Sequence, residues 1–432
     1  MKTPDGGASV DLIALTCFIS LFVVFVVLTR GGPARATQLA TQLATQRATQ
    51  RAIEAMGGSE LSHGLAKGAM AVAGAVQSVA GALTGGNEPC SSGIVERFRA
   101  DPRTQIQHGT IFVSIAAYRD DECKDTVFDL FDKATRPERV FVGVVQQIKD
   151  ASEDCFEKCE SCRERKRNGQ IRQIDYDFSE ARGPCFARYQ ASKLWRGEEY
   201  YMQIDSHMKF EQGWDETVFA EMARTGDPTA VLSSYPPTED QMRDFKAADF
   251  GQMIINCDPQ FNADGLVSFL AAIVDSPPGP LAKRAAVAAP FCGAGLMIMP
   301  GKAIVDVPYD PHLNFLFFGE ELMHSARLWT SGYNFYAPVQ SFVIHHYGRE
   351  DKPKFWADRN NYESCRRKAV QRVKHLLGLE PLESVDPVEY QTDIEMYRPG
   401  TKRSLADYFR FAGIDWKTKK ATKNCSATGF RN

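Results

Sequence analysis

The chain has 432 residues, a hydrophobic content of 44% and a formal net charge of −3. This length accommodates one large domain or two ordinary ones, and the hydrophobic content is sufficient for a buried core. Because the charge is nearly balanced, we expect no nucleic-acid partner and no membrane attachment through bulk electrostatics, and we look for function in local sites.

The first predicted element is a transmembrane signal-anchor at residues 12–29, an apolar run without a charged side chain. Its length is close to that needed to cross the hydrocarbon core, so residues 1–30 are assigned to a tail and a membrane anchor. A buried helix is one alternative. A cleaved signal peptide is another, because Ala34-Arg35-Ala36 has the small-x-small form of a cleavage site.

The features that flank the span disagree about its orientation. Arg30, Arg35, Arg47 and Arg51 follow the span, and the positive-inside rule then favours a cytoplasmic C-terminal portion. However, all cysteines except Cys17 also follow the span, and Asn424-Cys425-Ser426 is a glycosylation sequon. These features favour a C-terminal portion in the secretory lumen.

Residues 31–106 are predicted to form a low-complexity stalk. Residues 36–52 repeat ATQL or ATQR, and residues 64–86 are largely Ala, Gly, Val and Ser. A four-residue period drifts around a helix by about 40° per repeat, so the repeat cannot keep one face buried. The composition indicates a spacer.

Globular patterning extends from Gln107 to residue 378. An apolar run at residues 111–120 (IFVSIAAYRD) predicts a buried strand that ends in polar residues. A helix at 123–133 and strands at 139–146 and 200–204 follow. This alternation predicts an α/β fold with a mostly parallel sheet, helices on both faces, and ligands beyond the carboxyl ends of the strands.

The second half of the chain has less regular patterning. Further strands are predicted at residues 230–234, 295–299 and 335–344, and a basic helix is predicted at 359–377. Residues 379–432 have weaker patterning and are predicted to form a C-terminal appendage.

Asp205-Ser206-His207 directly follows the strand at 200–204. In extended chain, residues two apart point to the same side, so one cation can meet both Asp205 and His207. A lone D-x-H triplet is also typical of a surface or capping cluster. His345 and His346 end another apolar run and offer a third ligand. Carboxylate with imidazole suits a cation such as Mn²⁺, which neutralises phosphate oxygens of a leaving group.

A third polar cluster contains Glu320, Glu321 and Arg327. Adjacent acids after an aromatic-glycine turn can simply open a helix, where they complement the helix dipole. Alternatively, one carboxylate contacts a substrate hydroxyl, and Arg327 orients that carboxylate or pairs with phosphate.

Cys155, Cys159 and Cys162 are close enough in sequence to hold zinc with a fourth ligand or to form disulfides. The sequence offers no fitting CxxC partner, so we favour disulfides or a family-specific loop. The common phosphate-binding loop, zinc-protease and α/β-hydrolase motifs do not occur in the sequence.

Four segments resemble the GlcNAc-transferase family of polypeptide glycosyltransferases. In order they are IFVSIAAYRD, GPCFARYQASKLWRGEEYYMQIDSHMKF, FFGEELMHSARLWTSGYNFYAP and VIHHYGR. The family includes the cytosolic enzyme that modifies hydroxyproline on Skp1-type subunits and Golgi enzymes that modify mucin threonines. The resemblance covers residues 107–372. It implies a GT-A glycosyltransferase fold, with a Rossmann-like mixed sheet and helices on both faces.

The resemblance, which extends distantly to the polypeptide GalNAc-transferases, implies a role for each motif. Asp205 and His207 would bind Mn²⁺ and the donor diphosphate, with His345, or else His346, as the third ligand. Glu320 matches a glutamate of the relatives, whereas Glu321 stands where they have asparagine. The uridine of the donor would contact Ser114, Ala117, Tyr118 and Arg119. The diphosphate would lie near Arg182 and Arg188.

The resemblance also implies an activity, namely transfer of GlcNAc from UDP-GlcNAc to a Ser, Thr or hydroxyproline hydroxyl of a polypeptide. Configuration would be retained through front-face displacement. The span and stalk favour a single-pass type II enzyme of the Golgi or another secretory membrane. The alternatives are another UDP-sugar, a glycan acceptor, or an inactive GT-A lectin or scaffold.

Overall fold

The computed structural model describes Cys90, residues 104–156, residues 159–423 and Cys425. The predicted span, most of the predicted stalk and Asn424 of the sequon lie outside these residues. Among the helices formed by the described part of the chain, none is long and apolar enough to cross a membrane.

Strands occur in both halves of the described chain. The first half contributes β1 (Gln107–Tyr118), β2 (Val140–Ile148), β3 (Ile171–Asp177), β4 (Glu198–Ile204), β5 (Met208–Phe210), β6 (Ala230–Ser233), β7 (Gln252–Phe261) and β8 (Val267–Asp275). The second half contributes β9 (Val287–Ala288), β10 (Leu296–Pro300), β11 (Asn334–Ala337), β12 (Val343–His345), β13 (Ile414–Asp415) and β14 (Lys420–Ala421).

One eight-stranded sheet has the order β3-β2-β1-β4-β10-β6-β11-β9. Strands β3, β2, β1 and β4 are parallel to one another. Strand β10 runs antiparallel to both β4 and β6, and β9 runs antiparallel to β11. The predicted α/β class is therefore confirmed, and the sheet is mixed.

The helices are α1 (Cys123–Asp132), α2 (Cys162–Arg167), α3 (Pro184–Ser192), α4 (Trp214–Thr225), α5 (Glu239–Ala247), α6 (Ala303–Asp306), α7 (Glu320–Thr330), α8 (Tyr362–Leu376) and α9 (Leu405–Phe411). Ala187 of α3 packs with Val145 of β2. Val127 of α1 and Trp214 of α4 belong to a different cluster, together with Val113 of β1. Helices therefore cover both faces of the sheet, as predicted.

The near-continuous apolar sequence of β1 follows from this arrangement. Phe112 is buried in the core on one face of the sheet, and Val113 is buried in the core on the other. A strand covered on both faces needs apolar residues at successive positions rather than alternation.

The prediction of a single strand at residues 335–344 is wrong. The structure divides it into β11 in the large sheet and β12, which pairs antiparallel with β5. Pro338 lies between the two strands, and proline supplies no N–H for continued pairing. The edge strand β3 and the β7–β8 hairpin were not predicted.

Residues 379–423, predicted as an appendage, pack into the main core of the described chain. Tyr390, Tyr397 and Tyr408 are fully buried. Arg372 of α8 is also buried, and its guanidinium donates to Asp310 (2.8 Å) and to the carbonyl oxygens of Tyr390 and Thr392. The main core therefore requires the C-terminal segment.

Eight of the described cysteines form four disulfides, which are Cys90–Cys365, Cys123–Cys155, Cys159–Cys162 and Cys257–Cys425. The preference for disulfides over zinc at Cys155, Cys159 and Cys162 is confirmed. Cys90 lies in the predicted stalk, yet it is buried and covalently joined to α8. Attachment to the core thus begins before Gln107.

Candidate functional site

The candidate site lies beyond the carboxyl ends of β1 and β4. In the sheet, β2 and β3 lie to one side of β1, whereas β4 lies to its other side. The topology therefore switches between β1 and β4. Ile115 of β1 pairs with Ile204 of β4, so the residues after each strand leave the sheet at the same edge. Open α/β sheets bind ligands at such a switch point.

Asp205, His207 and His345 come together at this edge. His207 directly precedes β5, and the β5–β12 pairing sets His345 opposite Met208. The rings of His207 and His345 have centroids 4.7 Å apart. One potential ligand atom from each of the three side chains lies within 4.8 Å of the other two.

The donor set of this cluster fits a divalent cation. Asp205 Oδ2 lies 3.3 Å from His345 Nε2. Burial opposes ionisation of Asp205, but hydrogen bonding to His345 and the charge of Arg188 hold its pKa well below the usual range. One ionised carboxylate with two imidazoles suits Mn²⁺ or a similar borderline-hard cation.

His346 lies outside this cluster. Its side chain is 53% exposed, and its Nδ1 lies 2.7 Å from Glu122 Oε2. Of the two histidines predicted as the third ligand, the structure places His345 beside Asp205 and turns His346 towards a different acid.

Arg188 connects the Asp205 cluster to α7. Its guanidinium donates through Nη2 to Asp205 Oδ1 (3.1 Å) and through Nη1 to Glu320 Oε1 (2.5 Å). Burial disfavours the charged guanidinium, but the two carboxylates outweigh this effect and raise the pKa of Arg188. The resemblance places Arg188 near the donor diphosphate. In the structure, Arg188 pairs with two carboxylates of the candidate site, those of Asp205 and Glu320.

Glu320 and Glu321 form the first turn of α7, so the helix-opening interpretation is correct geometrically. Gly319 precedes them with a φ of 106°, and a Cβ there would meet Leu266 Cδ1 at 2.7 Å. Glycine is required at this turn by both conformation and space. The turn directs Glu320, which is buried, towards Arg188.

Glu321 has different partners from Glu320. Its carboxylate accepts hydrogen bonds from the Ala294 backbone N–H (2.7 Å) and the Tyr235 hydroxyl (2.8 Å). Burial raises the pKa of Glu321 to about 7. These contacts join α7 to the loop before β10, so Glu321 organises the wall beside the cluster.

Arg327 faces the protein interior. Its guanidinium donates to the Pro308 carbonyl (2.5 Å) and lies 5.4 Å from the centre of the Tyr397 ring. Burial lowers its pKa to about 10. These contacts support a packing role that includes the C-terminal segment, instead of the predicted pairing with Glu320 or phosphate.

The four residues predicted to meet uridine occupy two depths. Ser114 lies within β1 beside Gln203, and Ala117 packs in the core. Tyr118 and Arg119 reach the strand end, where Asp358 accepts hydrogen bonds from the Tyr118 hydroxyl (2.5 Å) and from Arg119 Nη1 (2.9 Å). Tyr118 and Arg119 therefore lie at the carboxyl end of β1, whereas Ser114 and Ala117 lie within the strand.

Arg182 lies at the entry to α3. Its guanidinium packs 4.7 Å from the centre of the Phe186 ring, and its carbonyl accepts a hydrogen bond from the Phe315 N–H (2.6 Å). Arg182 therefore packs beside the turn that leads to α7.

Four site residues were missed from the sequence, which are Asp120, Tyr235, Arg349 and Asp358. Asp120 carries a recognisable signal, because it is the first acid after the buried β1 strand. Arg349 lies in the VIHHYGR segment, four residues after His345, whereas Tyr235 and Asp358 contact the site only through long-range hydrogen bonds and have no local signal.

Comparison with known proteins places these features in context. A family model described as Glycosyltransferase (GlcNAc) matches residues 110–166 and 152–418. No curated protein sequence matches the chain. The GalNAc-T7 structure with UDP, GalNAc and Mn²⁺ is similar with a TM-score of 0.43 and 14% identity, covering 71% of this chain and 57% of that chain.

S. aureus TarS 1–349 in complex with UDP-GlcNAc is similar with a TM-score of 0.37 and 11% identity. The similarity covers 64% of this chain and 68% of the TarS chain. For GalNAc-T7, the 57% coverage means that this chain spans less than two thirds of that chain.

Replacing Arg188 by methionine is expected to lower the free energy of unfolding by about 3 kcal/mol, because the buried Glu320 and the partly buried Asp205 lose their shared cation. Chemical denaturation of the full chain, with disulfides intact, measures the change. Arg243→Met is the control, since the Arg243–Asp240 pair is highly exposed and should contribute less than about 1 kcal/mol. Equal effects of the two substitutions would contradict the bridging role of Arg188.

Proposed function

This chain belongs to the glycosyltransferase (GlcNAc) family, and we propose that it transfers GlcNAc from UDP-GlcNAc to a hydroxyl group of a polypeptide. The observation that carries the proposal is the convergence of Asp205, His207 and His345 at the topological switch point. The mixed sheet with helices on both faces supports a GT-A architecture.

In this proposal, Asp205, His207 and His345 hold Mn²⁺. A bound divalent cation supplies charge neutralisation for the diphosphate of the departing UDP. Arg188 keeps the Asp205 carboxylate ionised and oriented through its 3.1 Å contact. Tyr118 and Arg119, which donate hydrogen bonds to Asp358 at the end of β1, receive the uridine end of the donor.

Glu320 orients the reacting groups. Its hydrogen bond to Arg188 (2.5 Å) fixes one carboxylate oxygen and draws electron density from the group. A carboxylate held in this way is a weaker nucleophile, and its second oxygen, Oε2, can still accept a hydrogen bond from a substrate hydroxyl. This arrangement supports retention by front-face displacement, in which departing UDP accepts the proton of the acceptor hydroxyl.

An aromatic corner beside Glu320 supports a polypeptide acceptor. Phe317 and Phe318 are 44% and 59% exposed, and their ring centroids are 5.1 Å apart at an interplanar angle of 88°. Trp356 packs 5.5 Å from Phe317. Two chain steps separate Phe318 from Glu320, a reach of about 7 Å, so an apolar residue flanking the acceptor hydroxyl can pack in this corner.

We also infer a type II membrane enzyme with a lumenal catalytic domain in the Golgi or another secretory compartment. The apolar run near the N terminus, the low-complexity stalk and the Asn424 sequon support this topology. The four described disulfides support it further, because disulfides persist in oxidising compartments.

The full chain in detergent, with Mn²⁺ and UDP-GlcNAc, should glycosylate at least one member of a panel of Ser, Thr and hydroxyproline peptides. EDTA should abolish transfer, and Asp205→Ala should lower kcat/KM more than about 100-fold because the cation loses its carboxylate ligand. His346→Gln is the matched control and should retain activity. Transfer that survives EDTA, or a β-linked product by NMR, would contradict cation dependence or retention, respectively.

Phe318→Ala should reduce peptide transfer about 5-fold through a higher KM for peptide, because roughly 1 kcal/mol of aromatic packing is lost. Donor hydrolysis without peptide should be unchanged. Phe128→Ala removes a ring of comparable exposure (50%) from α1 and serves as the control. An equal loss of hydrolysis and transfer in Phe318→Ala would show that the aromatic corner does not select the acceptor.

For topology, the full chain expressed in a eukaryotic secretory system should carry an endoglycosidase-sensitive glycan that is lost in Asn424→Gln. Protease protection of the C-terminal portion in sealed microsomes provides an independent readout. A protease-accessible C-terminal portion would contradict a lumenal catalytic domain.

A further inference from the structure

Asp120 is a buried acid at the end of β1 with a partner at each carboxylate oxygen. Its Oδ2 accepts a hydrogen bond from Ser206 Oγ (2.5 Å) and lies 2.9 Å from His207 Nδ1. Its Oδ1 lies 3.0 Å from Arg349 Nη2 and accepts a hydrogen bond from the Glu122 N–H (3.0 Å). The side chain is only 2% exposed, so these protein contacts define its orientation.

The contact with His207 selects one form of the imidazole. An ionised carboxylate can only accept hydrogen bonds, so His207 Nδ1 must carry the proton. In the neutral ring, Nε2 then presents its lone pair as a ligand. A histidine that donates from one nitrogen to a carboxylate while the other binds a metal is a recurring arrangement at metal sites.

Asp120 also contacts both chain segments that carry the candidate ligands. Ser206 lies between Asp205 and His207, and its hydroxyl donates to Asp120. Arg349 follows His345 in the second segment and pairs with the opposite oxygen of Asp120. One buried carboxylate therefore sets the relative position of the segments 205–207 and 345–349.

We propose that Asp120 is a positioning residue for the cation site, fixing the His207 tautomer and the spacing of the two ligand segments. This inference rests on the proposed function, because it assumes that Asp205, His207 and His345 bind a divalent cation. It adds a residue that does not itself touch the cation.

The first measurement is Mn²⁺ binding to the full chain without donor, followed by the electron paramagnetic resonance signal of free Mn²⁺. Asp120→Asn keeps the side-chain volume but removes the charge, and it should raise the Kd for Mn²⁺ about 10-fold to 100-fold. Asp240→Asn is the control, because Asp240 is 80% exposed and paired with Arg243. Its Kd should stay within about twofold of wild type.

The second measurement is nitrogen NMR of the His207 ring in the cation-free full chain, assigned by comparison with His207→Gln. The wild-type ring should be in the Nδ1–H form, and Asp120→Asn should shift the ring towards a mixture of tautomers. A merely structural Asp120 would leave this tautomer unchanged. The wild-type spectrum alone tests the proposal if Asp120→Asn does not fold.

An Nε2–H tautomer in the wild type, or an unchanged Mn²⁺ Kd in folded Asp120→Asn, would overturn the positioning role. Asp205→Asn separates this failure from failure of the proposed function. If Asp205→Asn binds Mn²⁺ as tightly as wild type, the cation site itself is misassigned. If Asp205→Asn loses binding while Asp120→Asn retains it, only the role of Asp120 fails.

Discussion

The paired carboxylates of Asp205 and Glu320 depend on one buried guanidinium. Arg188 donates to both, at 3.1 Å and 2.5 Å, and a shielded charge without such partners would be strongly destabilising. Asp205 follows β4, Glu320 opens α7, and Arg188 lies on α3. The two ion pairs of this one side chain therefore hold three elements together beyond the carboxyl ends of β1 and β4.

A second constraint is backbone pairing between short strands. β5 is three residues long, but its pairing with β12 brings His345 opposite Met208 and beside His207. Asp120 then ties the two segments together through Ser206, His207 and Arg349. The cluster is thus built from residues far apart in sequence, yet each is held by backbone pairing or by a buried hydrogen bond.

Local sequence patterns predicted the parts of the fold and site that depend on neighbouring residues. The apolar runs located β1, β2 and β4, and the polar residues after β4 located Asp205 and His207. The aromatic-glycine turn located Glu320 at the start of α7. Partners across the fold could not be predicted in this way, because Asp120 is more than 200 residues from both Arg349 and Asp358 along the chain. The C-terminal segment was misjudged for the same reason, since its buried tyrosines pack against distant helices.

These contacts give the residues of the candidate site different roles. Asp205, His207 and His345 face a common point, Arg188 and Asp120 orient them, and Glu321 and Arg327 support the surrounding walls. Tyr118 and Arg119 donate hydrogen bonds to Asp358 at the carboxyl end of β1. These two residues lie at the end of β1 to which the proposed function assigns the uridine of the donor.

The central claim is that two histidines and one carboxylate hold the cation that meets the donor diphosphate. Pulsed electron paramagnetic resonance of the full chain loaded with Mn²⁺ and UDP tests it most directly. We predict coupling to two imidazole nitrogens and to phosphorus, with one nitrogen lost in either His207→Gln or His345→Gln and both retained in His346→Gln. A spectrum without imidazole coupling would contradict the assignment of the site.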